Sequence, residues 1–172
     1  MELQDGEIAL RPWRESDAPA VHAACQDPDI LHWMPILPRP YTLEDARAFV
    51  TDELGLGPHQ FAVTKNGLMV GSIGLRVGRF LIGEIGYWCA PAARGDGVIP
   101  RAGRLICRYA FEELHLERLQ IAADPDNRAS QRVAEKLGFQ REGVLRSHLA
   151  HPDGRRRDSL MFSLLPGELA GS

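Results

Sequence analysis

The sequence predicts a single mixed α/β domain, and three observations carry that reading. Runs of alternating apolar residues flank short turns, as antiparallel hairpins do. Amphipathic helical patterns separate other strand-like runs, as crossover connections do. At 172 residues the chain is long enough for one well-buried core and short for two. No internal repeat, low-complexity block or linker divides it, so residues 1–172 are expected to form one domain.

The elements follow in order. A first strand is expected around Ile8 to Arg11, then a helix whose start is marked by Ser16, Asp17 and the early Pro19 and which stops at Asp27-Pro28-Asp29. The segment from Ile30 to Tyr41 holds three prolines with Trp33 and Met34, and cannot be regular helix or central strand for long. Thr42 with Asp45 is a near-capping-box start for a helix through about Leu54. Strands Gln60 to Thr64 and Leu68 to Val77 form a hairpin around Lys65-Asn66-Gly67. A strand from Arg79 to Ala90, a helix from Arg101 to Leu114 and a short buried strand from Leu119 to Ala122 come next. The helix from Asn127 to Leu137 ends at Gly138, a residue suited to the left-handed cap. Strands Phe139 to Arg146 and Ser159 to Leu165 pair across a Pro152-Asp153-Gly154 turn.

Composition excludes several classes. With 44% hydrophobic and 25% charged residues the chain is not disordered as a whole. A net charge of -3 provides no polyanion-binding field, so no nucleic-acid partner is expected. The acidic start from Met1 to Glu7 lacks a signal-peptide pattern and no apolar run nears membrane-spanning length, so a cytoplasmic protein without membrane contact is expected. Cys25, Cys89 and Cys107 lack metal-ligand spacing and read as small buried hydrophobes; no metal is expected.

The chemistry concentrates at Arg94 to Ala102 (Arg-Gly-Asp-Gly-Val-Ile-Pro-Arg-Ala), between a strand and a helix. A strand that turns through glycines into a helix leaves N–H groups unpaired at the positive end of the helix dipole, which makes a phosphate cradle. Alone, the same pattern also serves merely to permit a tight turn. Further on, Asp124-Pro125-Asp126-Asn127-Arg128-Ala129-Ser130 opens another helix that ends in Leu137-Gly138-Phe139.

These segments together resemble the GNAT N-acetyltransferases, in particular the RimJ/RimL-type branch that acetylates ribosomal-protein N-termini. The family's phosphate motif, Arg or Gln, two residues, Gly, one residue, then Gly or Ala, lands on Arg94, Gly97 and Ile99. Asn127, Ser130 and Leu137-Gly138-Phe139 match its second motif, and the likeness extends from Leu10-Arg11-Pro12-Trp13 through Tyr41-Thr42-Leu43-Glu44-Asp45-Ala46 to Asp158-Ser159-Leu160. Ile99 departs from the motif, and Pro100 replaces a residue that would contribute an N–H.

The resemblance implies a mixed, mostly antiparallel sheet splayed between its fourth and fifth strands, with helices on both faces and acetyl-CoA or another acyl-CoA as cosubstrate in the V. It implies cofactor contacts from the backbone of Trp88, Cys89 and Ala90, from Gly95, Asp96, Gly97, Val98, Ile99, Arg101 and Ala102, and from Arg94, Asn127 and Lys136. Ser130 is implied near the departing thiolate. The implied acceptor is a primary amine, on a small molecule or a protein N-terminus, and its wall is expected at Trp33, Met34, Tyr41 and His148. The protein is expected as a monomer or homodimer. Attack by an amine needs a proton acceptor; Glu84, sharing a strand face with Gly86 and Trp88, is the candidate base, with a solvated or arginine-paired carboxylate as the alternative. His148 and His151 titrate in a useful range or are surface residues, and Arg155-Arg156-Arg157 is a solvated shoulder or an acidic-acceptor contact. A silent CoA-binding or protein-interaction domain of the same fold is the competing reading.

Overall fold

The computed structural model describes residues 2–151 and 153–171. Its strands are β1 (Leu3–Asp5), β2 (Ile8–Pro12), β3 (Gln60–Lys65), β4 (Leu68–Val77), β5 (Ile82–Cys89), β6 (Arg118–Ala123), β7 (Gln140–Ala150) and β8 (Arg156–Leu164). The helices are α1 (Ala18–Ala24), α2 (Pro28–Trp33), α3 (Leu43–Val50), α4 (Val98–Glu112) and α5 (Arg128–Leu137). The strands form one sheet in the order β1-β2-β3-β4-β5-β6-β8-β7. Every neighbouring pair is antiparallel except β5 and β6, which α4 joins as a parallel crossover.

That parallel pair sets the architecture. β5 and β6 pair only at Ile82 with Arg118, Gly83 with Leu119 and Glu84 with Gln120. Beyond Glu84, β5 stays on β4 and β6 stays on β8, so the sheet opens into a V. The split lies between the fifth and sixth strands, one later than expected. The extra strand is β1, which pairs with β2 around Gly6 and is too short to show an alternating pattern.

Alternation along β5 sends its side chains into two cores. Ile85, with Ile73 and Leu75 of β4, packs under Val98, Ala102, Ile106 and Ala110 of α4 and Leu137 of α5. Trp88 points to the opposite face, against Val21 of α1, Ile30 of α2 and Ala46 of α3. Helices therefore cover both faces. Gly103 lets α4 approach α5, since a Cβ there would lie 2.6 Å from Leu137.

Local chemistry explains most boundaries and several differences. Thr42 and Asp45 form the reciprocal cap of α3, with Asp45 N–H donating to Thr42 Oγ1 at 3.2 Å and Thr42 N–H to Asp45 Oδ2 at 2.7 Å. The helix stops at Val50 rather than near Leu54, because Asp52 turns left-handed and accepts from Leu56 N–H. Asp27-Pro28-Asp29 both ends α1 and begins α2: Asp27 accepts from Ile30 N–H and Pro28 takes a first-turn position. β5 begins at Ile82 because Phe80 and Leu81 hold positive φ in the preceding loop. β7 and β8 form the expected hairpin, both longer toward the turn, of which Pro152 lies outside the described residues.

Among the described residues no helix is long and apolar enough to cross a membrane.

Candidate functional site

The V holds a cleft of about 290 Å³ lined from four directions. β5 contributes Tyr87, Trp88 and Cys89, α2 and its C-cap contribute Asp29, Ile30, Trp33 and Met34, and α5 and its N-cap contribute Asn127, Ala129, Ser130 and Val133. The fourth side is the turn into α4, with Ala93, Arg94, Gly95, Gly97, Val98, Ile99 and Pro100.

The turn is built by its glycines. Gly95 and Gly97 have φ of +87° and +71°, a conformation that side chains resist. A Cβ at either would meet nothing within 4 Å, so backbone geometry rather than crowding selects glycine and leaves open space over the turn. Gly97 caps α4, and the first intrahelical bond there runs from Arg101 N–H to the Gly97 carbonyl at 3.2 Å. The amides of Gly97, Val98 and Ile99 thus precede the helical ladder, at its positive end. Open space above unpaired amides fits a pyrophosphate.

Pro100 is the third residue of α4, which begins at Val98, three residues before the expected start at Arg101. Its missing N–H still costs no helical bond, because the third position has no intrahelical acceptor. It does remove one donor from the cleft wall.

The cations near the cradle are already engaged. Arg94 donates to Asp27, to Asp29 Oδ2 at 3.1 Å and to the Cys89 carbonyl at 3.3 Å. The Arg94 side chain thereby faces α2, where the resemblance implied phosphate. Arg101 points away from the cleft to Asp5 and Glu7 of the N-terminal hairpin. Asp96 pairs with Lys65 at 2.7 Å, and Ala102 is buried in the core. Neither lines the cleft, nor do Ala90 and the exposed Lys136.

At the other end, Asn127 caps α5, its Oδ1 accepting from Ser130 N–H at 3.0 Å. Ser130 Oγ lies 2.8 Å from the Tyr87 hydroxyl. Period-two alternation groups Glu84, Gly86 and Trp88 on one face and gives no signal for Tyr87. A cleft at the open edge of a strand is reached from both faces, so adjacent Tyr87 and Trp88 both line it. Burial pushes the Tyr87 phenol up to about 12, with the Ser130 hydroxyl contact acting the other way, so it stays protonated.

Glu84 does not reach the cleft. It sits where β5 and β6 still pair, and Arg76, its cross-strand partner, donates to it at 2.8 Å. The structure thus gives Glu84 the arginine-paired arrangement, with no contact that would serve a general base. Of the expected acceptor wall, Trp33 and Met34 line the cleft. Tyr41 is buried among α1 and α3, while His148 contacts Ser159 at 3.0 Å outside the cleft.

Beside the cleft lies a second, polar cavity of about 440 Å³ lined by His32, Arg39, Asp124, Asp126, His151, Asp153 and Arg155. Arg157 bridges the two regions, donating to Asp124 Oδ2 at 3.0 Å and to the Trp33 carbonyl at 3.4 Å. The arginine run is therefore not a uniformly solvated shoulder: Arg155 is exposed, but Arg157 is largely buried. Cys25 and Cys107 are buried as expected; Cys89 is half-buried in the cleft wall.

Comparison with known proteins accords with this geometry. The acetyltransferase (GNAT) domain family matches residues 7–140, and the chain belongs to that family. A Bacillus subtilis protein named "Putative ribosomal N-acetyltransferase YdaF" is 43% identical over 88 residues, which is 51% of this chain and about half (48%) of YdaF. A GNAT-family acetyltransferase structure from Bacillus anthracis superposes with a TM-score of 0.86 at 28% identity, covering 96% of this chain and 98% of that one. Mycobacterium smegmatis RimJ, solved in complex with CoA-disulfide, superposes with a TM-score of 0.83 at 26% identity, covering 96% and 85%.

Proposed function

We propose that this protein transfers an acyl group, acetyl in the first instance, from acyl-CoA to the primary amine of a protein N-terminus or small molecule, by direct attack in a ternary complex. The observation that carries the reading is the single cleft joining the unpaired amides of Gly97 to Ile99 to the Ser130 hydroxyl along the open edge of β5. Family membership and the CoA-bound RimJ relative support the cosubstrate.

When bound, acyl-CoA supplies an activated thioester. The chain's residues do the rest. The α4 amides hold the pyrophosphate, and the free edge of β5 from Ile85 to Cys89 offers backbone groups to an extended pantetheine arm. Asn127 and Ser130 lie on the opposite wall. Trp33 and Met34 narrow the acceptor side and exclude water from the reacting centre. With Glu84 engaged by Arg76, the acceptor's proton leaves to solvent water rather than to that carboxylate.

Two observations favour the competing reading, a silent CoA-binding or interaction domain: Pro100 removes a donor from the cradle, and Arg94 is held by α2. Incubating the protein with acetyl-CoA and panels of peptides and amines, read as thiol release, tests transfer. Thiol release dependent on an acceptor supports the enzyme; CoA binding without release from any acceptor supports the silent domain.

A further inference from the structure

Tyr87 and Ser130 come from opposite arms of the V. Tyr87 lies on β5, three residues beyond the last β5–β6 pair, and Ser130 lies in the first turn of the helix that follows β6. Their hydroxyls meet at 2.8 Å, and the Tyr87 hydroxyl also lies 3.3 Å from the Ser130 carbonyl. Tyr87 packs against the main core, so the phenol has little freedom to leave this position. Ser130 is fixed from the other side by the Asn127 cap.

Only one of two hydroxyls can donate along their shared line. The phenol's one hydrogen has two acceptors in reach, Ser130 Oγ at 2.8 Å and the Ser130 carbonyl at 3.3 Å; the shorter contact and the phenol's greater acidity put it on Oγ, so Tyr87 donates and Ser130 Oγ accepts. The serine hydrogen is then free to point into the cleft. A hydroxyl that accepts one hydrogen bond is a better donor of the next, because the chain polarises cooperatively.

We propose that Tyr87 is a positioning residue that acts through Ser130: by donating to Ser130 Oγ, it aims and strengthens the serine O–H as a hydrogen-bond donor to the sulfur of the departing coenzyme. The inference rests on the proposed transfer reaction. Ser130 is then a hydrogen-bond donor rather than a proton source. As the N–C bond forms, the C–S bond breaks with its electron pair on sulfur. The amine's proton goes to water, and the thiolate is protonated from solvent after release. A phenol held near 12 does not surrender its proton to a thiolate whose conjugate acid is near 8.5, so both hydroxyls stay intact. The other titratable or charged groups among the described cleft residues are Asp29 on α2, Cys89 on β5 and Arg94 in the turn.

The test reads the ionisation of CoA bound to the full chain, by ultraviolet difference absorbance of the thiolate against ligand-free protein, and needs no acceptor. Ser130→Ala is expected to raise the bound thiol's pKa by about one unit, the scale of one hydrogen bond to a charged group. Tyr87→Phe is expected to raise it by about half a unit with the Kd for CoA unchanged, and to add nothing in the Ser130→Ala background. Additive shifts, or no shift with Tyr87→Phe, overturn the proposal. Should Tyr87→Phe fold poorly, site-specific 3-fluorotyrosine at 87 keeps the ring and makes a stronger donor. It is then expected to lower the thiol pKa, and an unchanged value overturns the proposal. Failure of the wild-type protein to bind CoA contradicts instead the transfer reading on which this inference rests.

Discussion

Arg94 and Asp27 form an ion pair that ties the turn before α4 to the N-cap of α2. The arginine that the phosphate motif would aim at a pyrophosphate is thus shared with the helix carrying Trp33 and Met34. Asp29 is its second partner, exposed and without a capping role.

Asp29→Asn therefore separates Arg94's release from α2 stability. Exposed ion pairs contribute about 0.2–1 kcal/mol, so CoA is expected to bind about two- to fivefold tighter when Arg94 has one competitor fewer. Calorimetric titration measures this, and unchanged affinity would show that Arg94 does not turn to the phosphates. Asp27→Ala also loses the α2 cap and should cost about 1 kcal/mol of stability in denaturant unfolding.

Pro100→Ala restores an N–H at the third position of α4 without disturbing the helical ladder. One more bond to a charged acceptor, about 1.5–3 kcal/mol, should tighten CoA by about tenfold or more. Equal affinity in the two proteins would place Pro100 away from the phosphates.

Glu84→Gln should leave the pH–rate profile of acyl transfer unchanged, because Glu84 is paired with Arg76 outside the cleft. A shift of activity to higher pH in the variant would restore Glu84 as the base.

Glu142 gives a stability signature. Arg118, bidentate at 2.6 and 2.8 Å, and the Ser163 hydroxyl hold its carboxyl down to about 2. A carboxyl lowered by folding contributes stability fully above its unfolded value near 4.3, lost as pH falls from there toward 2. Because Glu142 is almost half exposed, the contribution is about 1 kcal/mol after solvent screening. Urea unfolding at pH 6 and pH 3 should show Glu142→Gln less stable than wild type by that amount at pH 6 and by about half of it at pH 3.

The parts of this site legible in the sequence are those where residue type dictates backbone. Gly97 and Gly138 mark a glycine turn and a helix stop, and each holds that position. Side-chain destinations were less legible. Arg101 and Arg94 looked alike beside the cradle, yet one faces the N-terminal hairpin and the other α2, because their acidic partners lie more than sixty residues away in sequence. Tyr41 looked like acceptor wall and is core, since the proline-rich stretch before it folds partly into α2. Tyr87 was invisible as a partner of Ser130 because period-two alternation names a face, not what crosses an open V.

The central claim, that CoA lies in the β5–β6 cleft with its pyrophosphate at the start of α4, is tested most directly by backbone amide NMR during CoA titration. The account predicts the largest shifts at Gly95, Gly97, Val98 and Ile99, with further shifts at Cys89 and Ser130. Shifts centred instead on Asp124, Asp126 and His151, or none at millimolar CoA, would contradict it.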